Sequence, residues 1–272
     1  MTSSKSKQAA KTERPSTLLH PRSHDYVGLI RRWRKAAPHA GLKMTVFGES
    51  GGFPVYHLRS RHPAIRAPRI LLSAGIHGDE SASTEAALAW IERHAGAARD
   101  LDLHIFPCLN PWGLVHNKRT DERDRDHNRC YRDDDVPHIR RQKELIAEHR
   151  FDLAVILHED YDAQGVYLYE TSAGKPHWGE HLVAAMACHI PADPRKNIDG
   201  IRACGGVMRR RITADLMPDW PEAFVLHFLK TRRVFTIETP SEFNLDDRVE
   251  AHCAAINAAL ALAWNQGHGL SP

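Results

Sequence analysis

Residues 73–81, SAGIHGDES, follow the apolar run Arg69–Leu72 and place His77 and Glu80 three apart. An imidazole and a carboxylate at that spacing can share one metal ion. They also read as a loop histidine and an acid near a helix start, where the helix dipole favours negative charge. Two more apolar runs stop on groups of the same kind: Leu153–Leu157 on His158, and Val234–Ile237 on Glu238. In an open α/β sheet, ligands bind beyond the carboxyl ends of the strands. Two histidines and one carboxylate are a zinc set with a fourth position left for water, the mark of a catalytic rather than a structural site. Each piece alone is weak. His158 equally reads as a strand-end histidine bonded to backbone, and Glu238 as a carboxylate at a helix start.

The elements that must position these groups follow from periodicity. Asp25–Lys35 carries Tyr26, Leu29, Ile30 and Trp33 at helical spacing, and Leu42–Phe47 and Phe53–Leu58 read as strands around a Gly51-Gly52 turn. Arg69–Ala74 is a strand, and Ser81–His94 a helix capped by Asp79 or Ser81. Leu101–Pro107 is a further strand, ending in a turn at Leu109–Gly113; the segment 117–135 is highly polar with little to bury. Helices are expected at Pro137–His149, Trp178–His189 and Glu222–Leu229, and a short strand at Val166–Tyr169. Val249, Cys253, Ile256, Leu260 and Trp264 form one stripe of a closing helix. Strands alternating with helices imply a three-layer α/β/α sandwich around a mixed, largely parallel central sheet.

Composition narrows the class. The chain has 272 residues, 42% hydrophobic and 26% charged, as in a globular protein. No stretch approaches the roughly 18 apolar residues of a membrane span. The basic, polar start MTSSKSKQAAKTER lacks the apolar core of a secretory signal and reads as a flexible tail over 1–20, with a nucleic-acid arm as the alternative. The remaining residues, 21–272, are expected to form a single domain. A formal charge of +3 is too small to imply a polyanion partner. Five cysteines (108, 130, 188, 204 and 253) without CxxC spacing disfavour both a disulfide framework and a thiolate zinc site, which fits a reducing cytoplasm.

Between the candidate ligands lies LNPWGLVHNKRTDERDRDHNR, residues 109–129. With it, the sequence resembles the zinc metallocarboxypeptidases, the family of carboxypeptidase A. Five of that family's motifs occur in order: His77-Gly78-Asp79-Glu80; Asn110-Pro111-Trp112-Gly113; Arg119 with Asp126-His127-Asn128-Arg129; His158; and Glu238 in FTIETP. The resemblance spans about residues 42–262. It implies one Zn²⁺ on His77, Glu80 and His158, Glu238 as general base, and Arg119 as oxyanion donor. It also implies Asn128 and Arg129 as the grip on a free C-terminal carboxylate, and Asp126 as the partner of His77. The activity implied is removal of a C-terminal residue from a short peptide or muropeptide, with no nucleic acid or membrane involved. A solvated charge run is the alternative for Arg119 and Arg129.

The chain also departs from that family. Digestive members place a substrate-capping Tyr about twenty residues before the catalytic Glu, whereas Ala214–Trp220 contains none; Tyr167 or Tyr169 is the substitute to examine. In HEDYD, Glu159, Asp160 and Asp162 read as solvated loop charges or as a face for a basic substrate. Two rivals remain. A deacylase of the aspartoacylase and succinylglutamate desuccinylase type shares the ligand set but usually appends a small β-domain, and residues 239–272 read as one helix and a tail. A non-catalytic peptide or polyanion binder would be expected to have lost the base or the arginine, and both are present.

Overall fold

Wholly apolar strands have to be covered on both faces, and the computed structural model shows what covers them. It describes residues 23–171 and 175–267; the tail expected at 1–20 lies outside them. Ten strands form one sheet: β1 (Leu42–Ser50), β2 (Phe53–Ser60), β3 (Arg69–Ser73), β4 (Asp102–Phe106), β5 (Leu153–Asp160), β6 (Tyr167–Glu170), β7 (Asn197–Ile198), β8 (Ile201–Cys204), β9 (Val207–Met208) and β10 (Val234–Pro240). Their spatial order is β1-β2-β4-β3-β5-β10-β6-β9-β8-β7. The parallel character is confined mainly to the centre, where β4, β3, β5 and β10 run together. Antiparallel neighbours flank that centre on both sides.

One face is covered by α1 (Tyr26–His39), α2 (Ser81–Ala98), α5 (Gly179–Met186) and α7 (Leu245–Gly267). Here α1 packs on α2, α2 on α7, and α7 on α5. The opposite face carries α4 (Pro137–Ala147) and α6 (Glu222–Phe228). Side chains alternate between the two cores, as the pleat requires. Ile70, Leu72, Val155 and Leu157 enter the first, while Leu71, Ala154 and Ile156 enter the second. The expected three layers are present.

Several local expectations differ. The Asn-Pro-Trp-Gly segment is the start of α3 (Pro111–His116), not a turn: Asn110 accepts from the Gly113 N–H at 2.9 Å and Pro111 sits in the first turn. Strands β5 and β10 continue past His158 and Glu238, because backbone pairing is indifferent to side-chain polarity. Neither Asp79 nor Ser81 caps α2. Glu80 occupies the cap position with its side chain turned elsewhere, and the Ala82 N–H donates instead to Glu159 of β5 at 2.5 Å. The 117–135 segment does bury polar groups: Asp121 accepts from the N–H groups of Arg123 and Arg125, from the Arg125 side chain and from His127. Strands β7, β8 and β9 were not expected. They are too short to show a period, although Asp199-Gly200 and Gly205-Gly206 mark their turns with positive φ.

Candidate metal centre and cleft

β3 ends at Ser73, and Gly75, at φ +63°, turns the chain into the loop that carries His77 and Glu80. That loop lies against α3 so closely that a Cβ on Gly78 would come within 1.9 Å of the Gly113 carbonyl carbon. The HGDE glycine is what permits this approach, whereas a Cβ on Gly113 would meet the Asn110 side chain and the Lys118 carbonyl, so the two glycines answer separate requirements. His158 arrives from β5, whose pleat puts it on the same face as Ile156, and in the parallel register it sits directly beside Glu238 of β10.

His77, Glu80 and His158 are all buried, and their ligand atoms lie within 4.8 Å of one another. The Nδ1 atoms of both imidazoles face the Glu80 carboxylate: His77 to Oε1 at 2.5 Å, His158 to Oε2 at 2.8 Å. His77 presents Nε2 to Asp126 Oδ1 at 3.1 Å, which leaves Nδ1 as the ligating nitrogen. Burial would push the Glu80 carboxyl up, but the two imidazoles outweigh it and hold that group far below the usual carboxylate range. Burial lowers His158, with Glu80 opposing. Two nitrogens and one oxygen converging in a buried pocket fit a divalent ion of the zinc type.

The polar segment supplies one wall. Asn110 donates from its amide to the carbonyls of Arg119 at 3.2 Å and Thr120 at 3.0 Å, so the cap of α3 also fixes the backbone of Arg119. The Arg119 guanidinium contacts Asp126 Oδ2 at 3.1 Å and lies 3.6 Å from Glu80 Oε1. Asp126 further accepts from the Asn128 N–H at 2.8 Å. Asn128 accepts at Oδ1 from the Glu222 N–H at 2.9 Å, which settles its rotamer with the NH₂ turned towards His158. Arg129 lines the same cleft and uses one N–H on the Asn128 carbonyl.

The opposite wall is anionic. Glu238 is half-buried, and its carboxyl is pushed well above the usual range by burial, then by Glu80 and Asp160, with Arg119 opposing. Tyr167 is its antiparallel register partner, and Tyr169 is that of Thr236. The two phenols donate to different acids, Tyr167 to Asp160 at 2.8 Å and Tyr169 to Asp199 at 2.6 Å. The cleft between the walls measures about 640 Å³ and extends over Ile156, Thr236, Met208 and Phe224.

The model of the succinylglutamate desuccinylase/aspartoacylase catalytic domain matches residues 66–188, which include the three candidate ligands and the Arg119–Arg129 wall but not Glu238. A provisionally named metallopeptidase from Shewanella amazonensis SB2B superposes with a TM-score of 0.78 at 23% identity, covering 88% of this chain and 94% of its own. The fold is carboxypeptidase-like. The chain is also similar to a metallo-carboxypeptidase from Pseudomonas aeruginosa (TM-score 0.63, 17% identity, 87% and 68% covered). A succinylglutamate desuccinylase from Chromobacterium violaceum is more distant (TM-score 0.53, 18% identity, 84% and 76% covered). No curated protein matches the sequence.

The fold thus brings His77, Glu80, Arg119, Asp126, Asn128, Arg129, His158 and Glu238 to one cleft. HEDYD divides three ways. Glu159 is buried and paired with Arg248, Asp160 lines the cleft, and Asp162 is exposed. The solvated reading therefore fails for Glu159, because the pleat turns it away from His158 and onto the start of α2. Sequence reasoning missed Asp199 and Glu222. Asp199 had a weak signal in its Asp-Gly turn; Glu222 had none.

Proposed function

We propose that this protein is a zinc-dependent hydrolase that cleaves the C-terminal amide bond of a short peptide or muropeptide. The supporting observation is the pairing of a buried His-Glu-His set with Glu238 on one side and the Arg119–Arg129 wall on the other. His77, Glu80 and His158 would hold the ion, which when bound acidifies a water and polarises the scissile carbonyl. Glu238, beside His158 in the parallel register, would take a proton from the attacking water and pass it to the leaving amine. Arg119 offers a fixed positive charge to the oxygen that becomes anionic. Asn128 and Arg129 meet the terminal carboxylate with an amide NH₂ and a planar fork of N–H groups.

The family match over residues 66–188 supports a second reading, deacylation of a small N-acyl amino acid. The two readings use the same residues and the same free carboxylate on the amine side; they differ in what lies on the acyl side of the bond. Zinc-loaded protein should be offered N-acylated dipeptides, diaminopimelate-containing peptides and N-acyl amino acids, before and after chelation. Chelator-sensitive peptide cleavage supports the first reading, and turnover of N-acyl amino acids alone supports the second. Peptide binding without any hydrolysis by the loaded protein refutes both.

A further inference from the structure

One fully buried carboxyl takes no part in this chemistry, yet joins both halves of the site. Glu222, 0% exposed, accepts from the Ser73 hydroxyl at 2.8 Å and from the Gln142 amide at 2.7 Å. Gln142 is oriented in turn by Tyr131, whose hydroxyl donates to the Gln142 Oε1 at 2.5 Å, so the Gln142 NH₂ is committed to Glu222. Ser73 is the last residue of the strand that launches the His77/Glu80 loop. The N–H of the same Glu222 donates to Asn128 Oδ1. One residue therefore ties the strand bearing the metal loop to a residue of the carboxylate grip, across 149 and 94 positions of sequence.

We propose that Glu222 is a positioning residue for substrate recognition: its side chain, anchored to Ser73 and Gln142, sets the backbone N–H that fixes the Asn128 amide with its NH₂ towards the cleft. The proposal rests on the reading of Asn128 as a carboxylate contact. The physical reason is donor selection. An Asn amide has one acceptor and one donor end, and whichever group holds one end decides what the other presents. A main-chain N–H on Oδ1 leaves only donors for the substrate, the polarity a carboxylate needs. If the anchored side chain is lost, the start of α6 is released and two buried donors are left without an acceptor. Burial pushes the Glu222 carboxyl up to about 7 against the pull of Ser73 and Gln142, so a neutral side chain of the same shape is tolerated there.

The test compares Glu222→Ala, Glu222→Gln and Ser73→Ala with Asn128→Ala in full-length, zinc-loaded protein. Gln retains an acceptor for Gln142 and offers an N–H to the Ser73 oxygen, so it should keep KM for free-acid peptides within about threefold. Ala at 222 should raise that KM about tenfold, with little change on amidated analogues and little change in kcat. Ser73→Ala, which leaves the carboxyl in place, should give a smaller rise. In the Asn128→Ala background, Glu222→Ala should add no more than about twofold, since it acts through the residue already removed. Equal losses on free-acid and amidated peptides, or additive losses in the double variant, overturn the proposal. The side-chain ¹⁵N–¹H signal of Asn128, assigned by Asn128→Ala, gives a readout independent of turnover. It should move in Glu222→Ala (or in Ser73→Ala, should the former not fold) and stay in Glu222→Gln. An unmoved signal overturns the positioning whatever the cleft hydrolyses, whereas a moved signal with no free-acid preference in the parent protein sinks only the carboxylate reading.

Discussion

At the scale of single residues, Asp126 does the most with one side chain. Its carboxylate accepts from His77, Arg119 and the Asn128 backbone; burial would raise its pKa, but His77 and the charges of Arg119 and Arg129 hold it well below the usual range. A candidate ligand, the proposed oxyanion donor and the proposed carboxylate contact therefore share one anchor. Glu238 differs, because nothing among the described residues is hydrogen-bonded to its carboxylate, which leaves it free to meet a water. Glu238→Gln should retain zinc in a metal analysis and lose more than about 10² of kcat, in line with removal of a general base; activity within tenfold of the parent rules the role out. Arg129→Ala should raise KM for free-acid substrates and leave amidated ones nearly unchanged, and equal effects on both refute the clamp. These residue types were legible in the sequence because the chemistry constrains them tightly. Glu222 was illegible, since nothing in PDWPEAF distinguishes a buried anchor from a helix-start acid.

At the scale of elements, the register of β5 against β10 decides the site: His158 opposite Glu238 follows from parallel pairing, and a slip of one residue would turn one of them to the other face. The sheet also carries a cost at its other side. His57 of β2 lies beside His104 of β4 at 5.2 Å between ring centroids and stacks on Phe106, and His104 meets His149 at 4.4 Å. Burial lowers His57 to about 4, helped by Arg59 and His149, and lowers the other two rings as well. A folded-state pKa below the unfolded value of 6.5 means that the unfolded chain binds more protons between about 4 and 6.5. Stability should thus be complete above that window and fall as pH drops through it, by on the order of 3 kcal/mol for His57 alone. In urea unfolding at pH 6.5 and 4.5, His57→Phe should lose at least about 1 kcal/mol less than the parent on acidification; an unchanged acid limb refutes the assignment. The strands themselves were readable from apolar runs bounded by turn residues. Helix α3 reads as a turn in the sequence because the same Asn-Pro pair opens both; in the fold the Asn110 side chain caps a helix through the Gly113 N–H.

At the scale of the whole molecule, the three candidate ligands come from a loop beneath one helical layer and a strand in the middle layer, so the set exists only in the folded chain. A ligand that binds only that state stabilises it, by about 2.7 kcal/mol at a free concentration a hundredfold above its dissociation constant. Zinc should therefore raise the midpoint of thermal unfolding by roughly 5–10 °C for a chain of this size. His158→Ala should abolish the rise in scanning calorimetry and Glu238→Gln should keep it; a shift that survives His158→Ala places the ion elsewhere. No helix among the described residues is long and apolar enough to cross a membrane. What the sequence determined by itself was local: which runs are apolar enough to be strands, and which side chains can ligate, transfer protons or grip a carboxylate. The tertiary structure alone decided which of the acids after His158 faces the cleft and which lies buried under α2, and what holds Asn128 in place. Those choices depend on pleat, register and contacts between positions 77 to 149 residues apart, which no local pattern records.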